Sequence, residues 1–133
     1  MDLTSIDLPG SVIRSVNRSG DTVRVRFEPA YLIRTMTGSE ERTRWRQNIE
    51  LVFEDAELIE GAQADLPDTC AGGDLFDNVY TYRDMVPVPL ESRGRVGCDL
   101  RLEGSGVRIR VEAEAVRMVQ EDLPKYIEHI RKR

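Results

Sequence analysis

The sequence predicts an all-β domain, an antiparallel β-sandwich or flattened barrel of roughly eight to ten strands. Three observations carry this. Apolar and polar residues alternate with period two along most of the chain; Gly and Pro recur as punctuation; and a period of 3.6 appears only near the end. At 133 residues the chain is long enough to bury its own core, so residues 1–133 read as a single domain.

Val23, Val25 and Phe27 face one way and Arg24, Arg26 and Glu28 the other. A break at Glu28-Pro29 precedes an extended Tyr31-Leu32-Ile33-Arg34, and Thr37-Gly38-Ser39-Glu40-Glu41 has turn composition. The longest strand follows, with Trp45, Gln47, Ile49, Leu51 and Phe53 on one face and Arg46, Asn48, Glu50 and Glu54 on the other. Val52 is its one apolar exception, and Gln47 reads as a hydrogen-bonded amide in the core or at its rim.

Residues 61–74 hold three glycines and little periodicity, and read as a long connection. Leu75 to Val79 and Tyr80 to Leu90 are extended. Pro87 and Pro89, two apart, remove donors from one strand edge and predict an unpaired edge or a strand end.

The clearest unit is a hairpin. Val96, Cys98, Leu100 and Leu102 point inward before Gly104-Ser105-Gly106, and Val107, Ile109, Val111, Ala113 and Ala115 point inward after it, so facing residues must sum to an odd number. A two-residue turn at Ser105-Gly106 sets Leu102 opposite Ile109 and Glu103 opposite Arg108, with Asp99, Arg101, Arg110 and Glu112 neutralising one another on the outer face. The tail leaves two readings open. Leu123, Tyr126, Ile127 and Ile130 fit a short helix capped at Asp122, whereas the extended Val116 to Val119 favours a last strand over Tyr126 to Ile130. The inner face is expected to include Val23, Val25, Phe27, Ile49, Leu51, Phe53, Val96, Leu100, Leu102, Ile109 and Val111.

A formal net charge of −5 opposes non-specific nucleic-acid binding, which draws on a positive field. Arg42, Arg44 and Arg46 form a short basic patch, but Glu40 and Glu41 adjoin it. No apolar run reaches the roughly 20 residues of a membrane-spanning helix. The opening Met1-Asp2-Leu3-Thr4 lacks the basic region of a secretory signal, so the expectation is a cytoplasmic protein with no membrane association.

Cys70 and Cys98 are too few for a four-ligand zinc site and are expected as reduced core residues. Asp65, Asp68, Asp74 and Asp77 flank Gly72-Gly73 but fit no calcium loop, and no metal or other cofactor is expected. His129 is the only histidine; His-assisted catalysis would need Cys70 or a serine beside it and an orienting carboxylate, and nothing in the sequence shows that proximity. Gly104-Ser105-Gly106 leads into a strand, unlike phosphate-binding loops, which usually lead into a helix. No catalytic residue is assigned. Trp45, Tyr80 and Tyr82, with Arg83 as a polar anchor, are the candidates for a ligand-stacking surface, against the plainer role of core or rim packing.

Trp45 to Phe53, Leu66-Pro67, Gly73-Asp74-Leu75, Val86-Pro87-Val88-Pro89-Leu90 and Gly94 to Leu102 resemble small bacterial all-β domains of uncharacterised function. The resemblance implies a β fold and a cytosolic bacterial origin, and carries over no active-site residue. The functional expectation is a non-catalytic binding or protein-interaction module that self-associates or takes a protein partner. The alternatives are a small-molecule carrier with a pocket at one end, bordered by residues 61–74, Trp45 and Tyr82, or a small enzyme using Cys70, Asp74 or His129.

Overall fold

The protein is described by a computed structural model that covers residues 3–36, 38 and 41–130. Among these residues every regular element is a strand: β1 (Leu3–Asp7), β2 (Val12–Ser19), β3 (Thr22–Thr35), β4 (Arg42–Glu54), β5 (Glu57–Glu60), β6 (Asp68–Asp77), β7 (Tyr80–Arg83), β8 (Met85–Val88), β9 (Glu91–Leu102), β10 (Arg108–Gln120) and β11 (Lys125–Ile130). No helix among them is long and apolar enough to cross a membrane.

The all-β expectation holds, as a barrel. Strands β4, β10, β9, β6, β2 and β3 follow one another by hydrogen bonding, and the β3–β4 pairing closes the ring. Closure removes the two sheet edges that an open arrangement would leave. Outside the ring, β11 pairs β4, β1 pairs β3, β8 pairs β1, β5 pairs β10 and β7 pairs β6. All eleven residues expected on the inner face are buried in one core cluster.

Several local expectations are met for the reasons given. Pro87 and its neighbours lie on β8, which pairs only β1 and so forms an edge. Gln47 is 3% exposed. Its Nε2 donates to the Asp122 carbonyl at 2.6 Å and its Oε1 accepts from Gln120 Nε2 at 3.1 Å. Val52 is buried on the outer side of β4, between Arg24 and Arg117 in the ladder, where arginine stems can cover an apolar side chain.

Others are corrected. Glu28-Pro29 does not end a strand: β3 runs through it as a bulge, where a missing donor is tolerated. The connection is shorter than residues 61–74, because Asp68 to Asp74 belong to β6. The glycines there serve close approach rather than looping. A Cβ on Gly73 would lie 2.4 Å from the Asp99 carbonyl oxygen, and Gly72 sits at a β6 bulge with φ of +142°. What remains of the connection seats Ala64 and Leu66 against the core.

The hairpin register keeps its odd parity but slips by two residues. Ile109 faces Leu100, Arg110 faces Asp99 and Arg108 faces Arg101. The loop is four residues long, closed by Leu102 N–H to Val107 C=O at 2.8 Å. Its tip is tied to β6, with Glu103 N–H donating to the Thr69 carbonyl and Gly104 N–H to Asp68 Oδ1. The tail is a strand: Tyr126 lies opposite Trp45 and Ile130 opposite Arg42. Of the expected turn at 37–41, residues 37, 39 and 40 lie outside the described residues.

Candidate cleft on the outer face of the barrel

The four residues singled out for ligand stacking fall in two places. Trp45 is on β4, three strands around the ring from β6, to which Tyr80, Tyr82 and Arg83 are attached through β7. Trp45 is partly buried; Arg34 lies over its ring at 4.7 Å, Tyr126 meets it edge-on at 5.4 Å, and its Nε1 donates to Thr43 Oγ1. Tyr80 and Tyr82 stack at 6.5 Å, with Tyr82 packed on the core and Tyr80 64% exposed. Arg83 is held by Asp74 at 3.1 Å, and this carboxylate raises its pKa further above the ordinary guanidinium value.

The other reactive residues are likewise occupied. Asp68 accepts from Thr69 N–H and Gly104 N–H, and Asp77 accepts from the Ser92 hydroxyl and Asn78 Nδ2. Among the described residues no group of three metal-ligating side chains converges. His129 Nε2 lies 3.1 Å from Glu41 Oε2. Both thiols are free and buried; burial pushes Cys70 up to about 11 and Cys98 higher still.

A concavity lies elsewhere, a cleft of about 830 Å³ whose floor is formed by β9 and β10 and whose walls come from β6, β5 and the turns near them. Its shape follows from local sequence. Gly97 lies in the outward phase of β9, and a Cβ there would stand 2.1 Å from the Val111 carbonyl oxygen. Only glycine lets the sheet curl so tightly between β9 and β10. Nearby, the β9–β10 register shifts between Ala113 and Ala115, and Gly94 (φ +121°) receives the side chain of Asn78 in the space a Cβ would fill. Asn78 also accepts from Arg95 N–H and donates to the Arg93 carbonyl, fixing the β6–β7 turn against the bulge. On the far side, β4 stops at Asp55 (φ +49°), and Ala56 N–H donates to the Asp21 carbonyl before β5 resumes along β10.

The walls carry Asp21, Asp55, Glu57, Glu112 and Glu114 against Arg95 and Arg110, with Phe76 37% exposed beside them. Among the described residues none of these five carboxylates forms an ion pair, while Arg110 is engaged by Glu60 at 3.2 Å and Asp99 at 3.8 Å. The expected neutral outer face is therefore neutral only in part. The two-residue slip places Gly97 opposite Glu112, where the expected register had Asp99 with Arg101 on the diagonal.

Sequence reasoning missed this site for two reasons. Reading residues 61–74 as a connection left Phe76 without a phase, and its exposure depends on that phase. Gly97 interrupts the outward charges Arg95 and Asp99, and this glycine on a strand's outer face was the one available signal of a tight bend. Set against family models, curated proteins and solved structures, the chain finds no match.

Proposed function

We propose that the chain is a non-catalytic binding module that takes a protein partner in the cleft over β9 and β10. The observation that supports this reading is the concave, uncovered sheet face whose carboxylates the fold itself leaves unpaired. Charge not spent inside a fold is available to steer and select a partner. Around the cleft the ionisable side chains are carboxylates and guanidiniums, together with the Cys98 thiol, which is buried and held neutral. Such a surface suits recognition, since it presents charged groups to a partner and no activated hydroxyl, thiol or amine.

Carboxylate-directed cross-linking in the source cells, read by mass spectrometry, tests the proposal. The expected result is a set of cross-links from one partner protein to Asp55, Glu57, Glu112 or Glu114 that disappears in Glu112→Lys/Glu114→Lys. Cross-links confined to other surfaces would overturn it. A small molecule retained in native mass spectrometry, with no protein partner, would favour the carrier reading instead.

A further inference from the structure

Independently of the cleft, we infer that a second copy of this chain docks on the free edge of β11, the two strands pairing antiparallel about a twofold axis with Lys125 of each copy opposite Glu128 of the other. Over residues 31–35 of β3 and 42–46 of β4 the sheet extends past the ring, in the order β11, β4, β3, β1, β8. β11 and β8 are thus its two edges, and they differ. β8 carries Pro87, which has no N–H to offer a further ladder. β11 contains no proline, and Tyr126 is 56%, Ile127 38% and the nearby Leu123 83% exposed. Among the described residues no strand pairs the outer edge of β11.

The strand is complementary to itself because of its bulge. A twofold axis normal to a sheet keeps each side chain on the same face in both copies, and in a regular strand residues three apart lie on opposite faces, so they cannot meet across such a pair. In β11 the register shifts between Tyr126 and Glu128, leaving Ile127 as an extra residue. Lys125 and Glu128 therefore stand opposite Arg46 and Arg44, two residues apart on β4, and share one face. Setting Lys125 of one copy against Glu128 of the other makes two opposite-charge pairs and brings Tyr126 and Ile127 of both copies together at the axis. A pairing centred on Ile127 would instead set Tyr126 against Glu128, from opposite faces. Neither Lys125 nor Glu128 makes an ion pair among the described residues, and Arg44, which Glu128 faces, is turned to Asp7 at 3.4 Å.

The test is charge reversal read by sedimentation velocity of the full chain over a concentration series. The unaltered protein is expected to form a reversible dimer at micromolar concentration, since one strand pair makes a small interface. Lys125→Glu and Glu128→Lys each turn both cross-copy pairs into like charges, and each alone is expected to weaken the dimer about tenfold or more. Lys125→Glu/Glu128→Lys restores opposite charges and is expected to recover it. An equimolar mixture of the two single variants carries the discriminating result: its mixed dimer again has two opposite-charge pairs, so dimer should return on mixing, which also establishes that both variants are folded. A protein monomeric into the high-micromolar range, a dimer indifferent to either reversal, or a mixture and a double variant that both stay monomeric would each overturn the inference. Association through another surface, the cleft or β8, gives the second of these outcomes.

Discussion

At Gly97 and Gly73 the side chain is missing because the neighbouring strand's backbone occupies its place. Replacing either by alanine drives a methyl group into a carbonyl oxygen, and we expect about 1–3 kcal/mol of destabilisation, seen as a lower denaturant midpoint at unchanged slope. Gly106 is a useful contrast. Nothing lies within 4 Å of its Cβ position, so Gly106→Ala meets only the strain of φ +72° and is expected to cost about 1 kcal/mol. Equal losses at all three sites would show that steric contact is not what selects glycine on the strands. The cysteines make a second prediction. Burial holds both thiols neutral, with Cys70 pushed up to about 11, whereas in the unfolded chain a thiol ionises near about 8.5. The folded pKa is raised, so this contribution is complete below the unfolded value and is lost as pH climbs toward the folded one. Urea midpoints should therefore decline above about pH 8.5. Cys70→Ala/Cys98→Ala should flatten that decline while lowering stability at neutral pH.

Among the elements, β11 is held from one side. Its ladder runs only along β4, and Tyr126 and Ile127 remain largely exposed. The approach to β11 is fixed by Gln47, which binds the Asp122 carbonyl, and by Asp122 Oδ1, which accepts from Asn48 N–H at 2.9 Å. Gln47→Leu keeps the bulk but orphans that carbonyl, at a cost of about 1–3 kcal/mol. Hydrogen exchange should rise across Lys125–Ile130 in this variant and stay unchanged in the β9–β10 hairpin. Equal protection in both proteins would mean that the ladder alone holds the strand. The tail could not be decided from its own residues because Leu123, Tyr126, Ile127 and Ile130 satisfy a helical period equally well. The unpaired side of β4 over Arg42–Arg46 decided it, by offering a ladder that no local pattern announces.

On the scale of the whole molecule, the ring has one thin seam. β2 and β6 pair only through Val12 with Thr69 and Ile13 with Asp68, extended by Cys70 N–H to the Ser11 carbonyl and Gly10 N–H to the Cys70 carbonyl. By contrast β9 and β10 pair along most of their length. Partial opening should start at the seam, so the Cys70 amide is expected to exchange faster than those of Leu100 and Val111 under native conditions. Exchange of all three at a single rate would mean that the ring opens only by global unfolding.

By itself the sequence determined the fold class, the inward set of each long strand, the edge at Pro87 and the satisfied amide of Gln47. These follow from side-chain type and a period of two, which a residue and its near neighbours specify. It also set the parity of the hairpin, though not its register, since parity is local while the loop length was decided by hydrogen bonds from Glu103 and Gly104 to β6. Tertiary structure alone decided that the sheet closes, that Asp68 to Asp74 form a strand, and that Trp45 stands apart from Tyr80 and Tyr82. It also decided where the cleft lies, because the cleft depends on how Gly97 bends one strand over another and which charges that bend leaves without partners. Both are properties of pairs of residues distant in the chain.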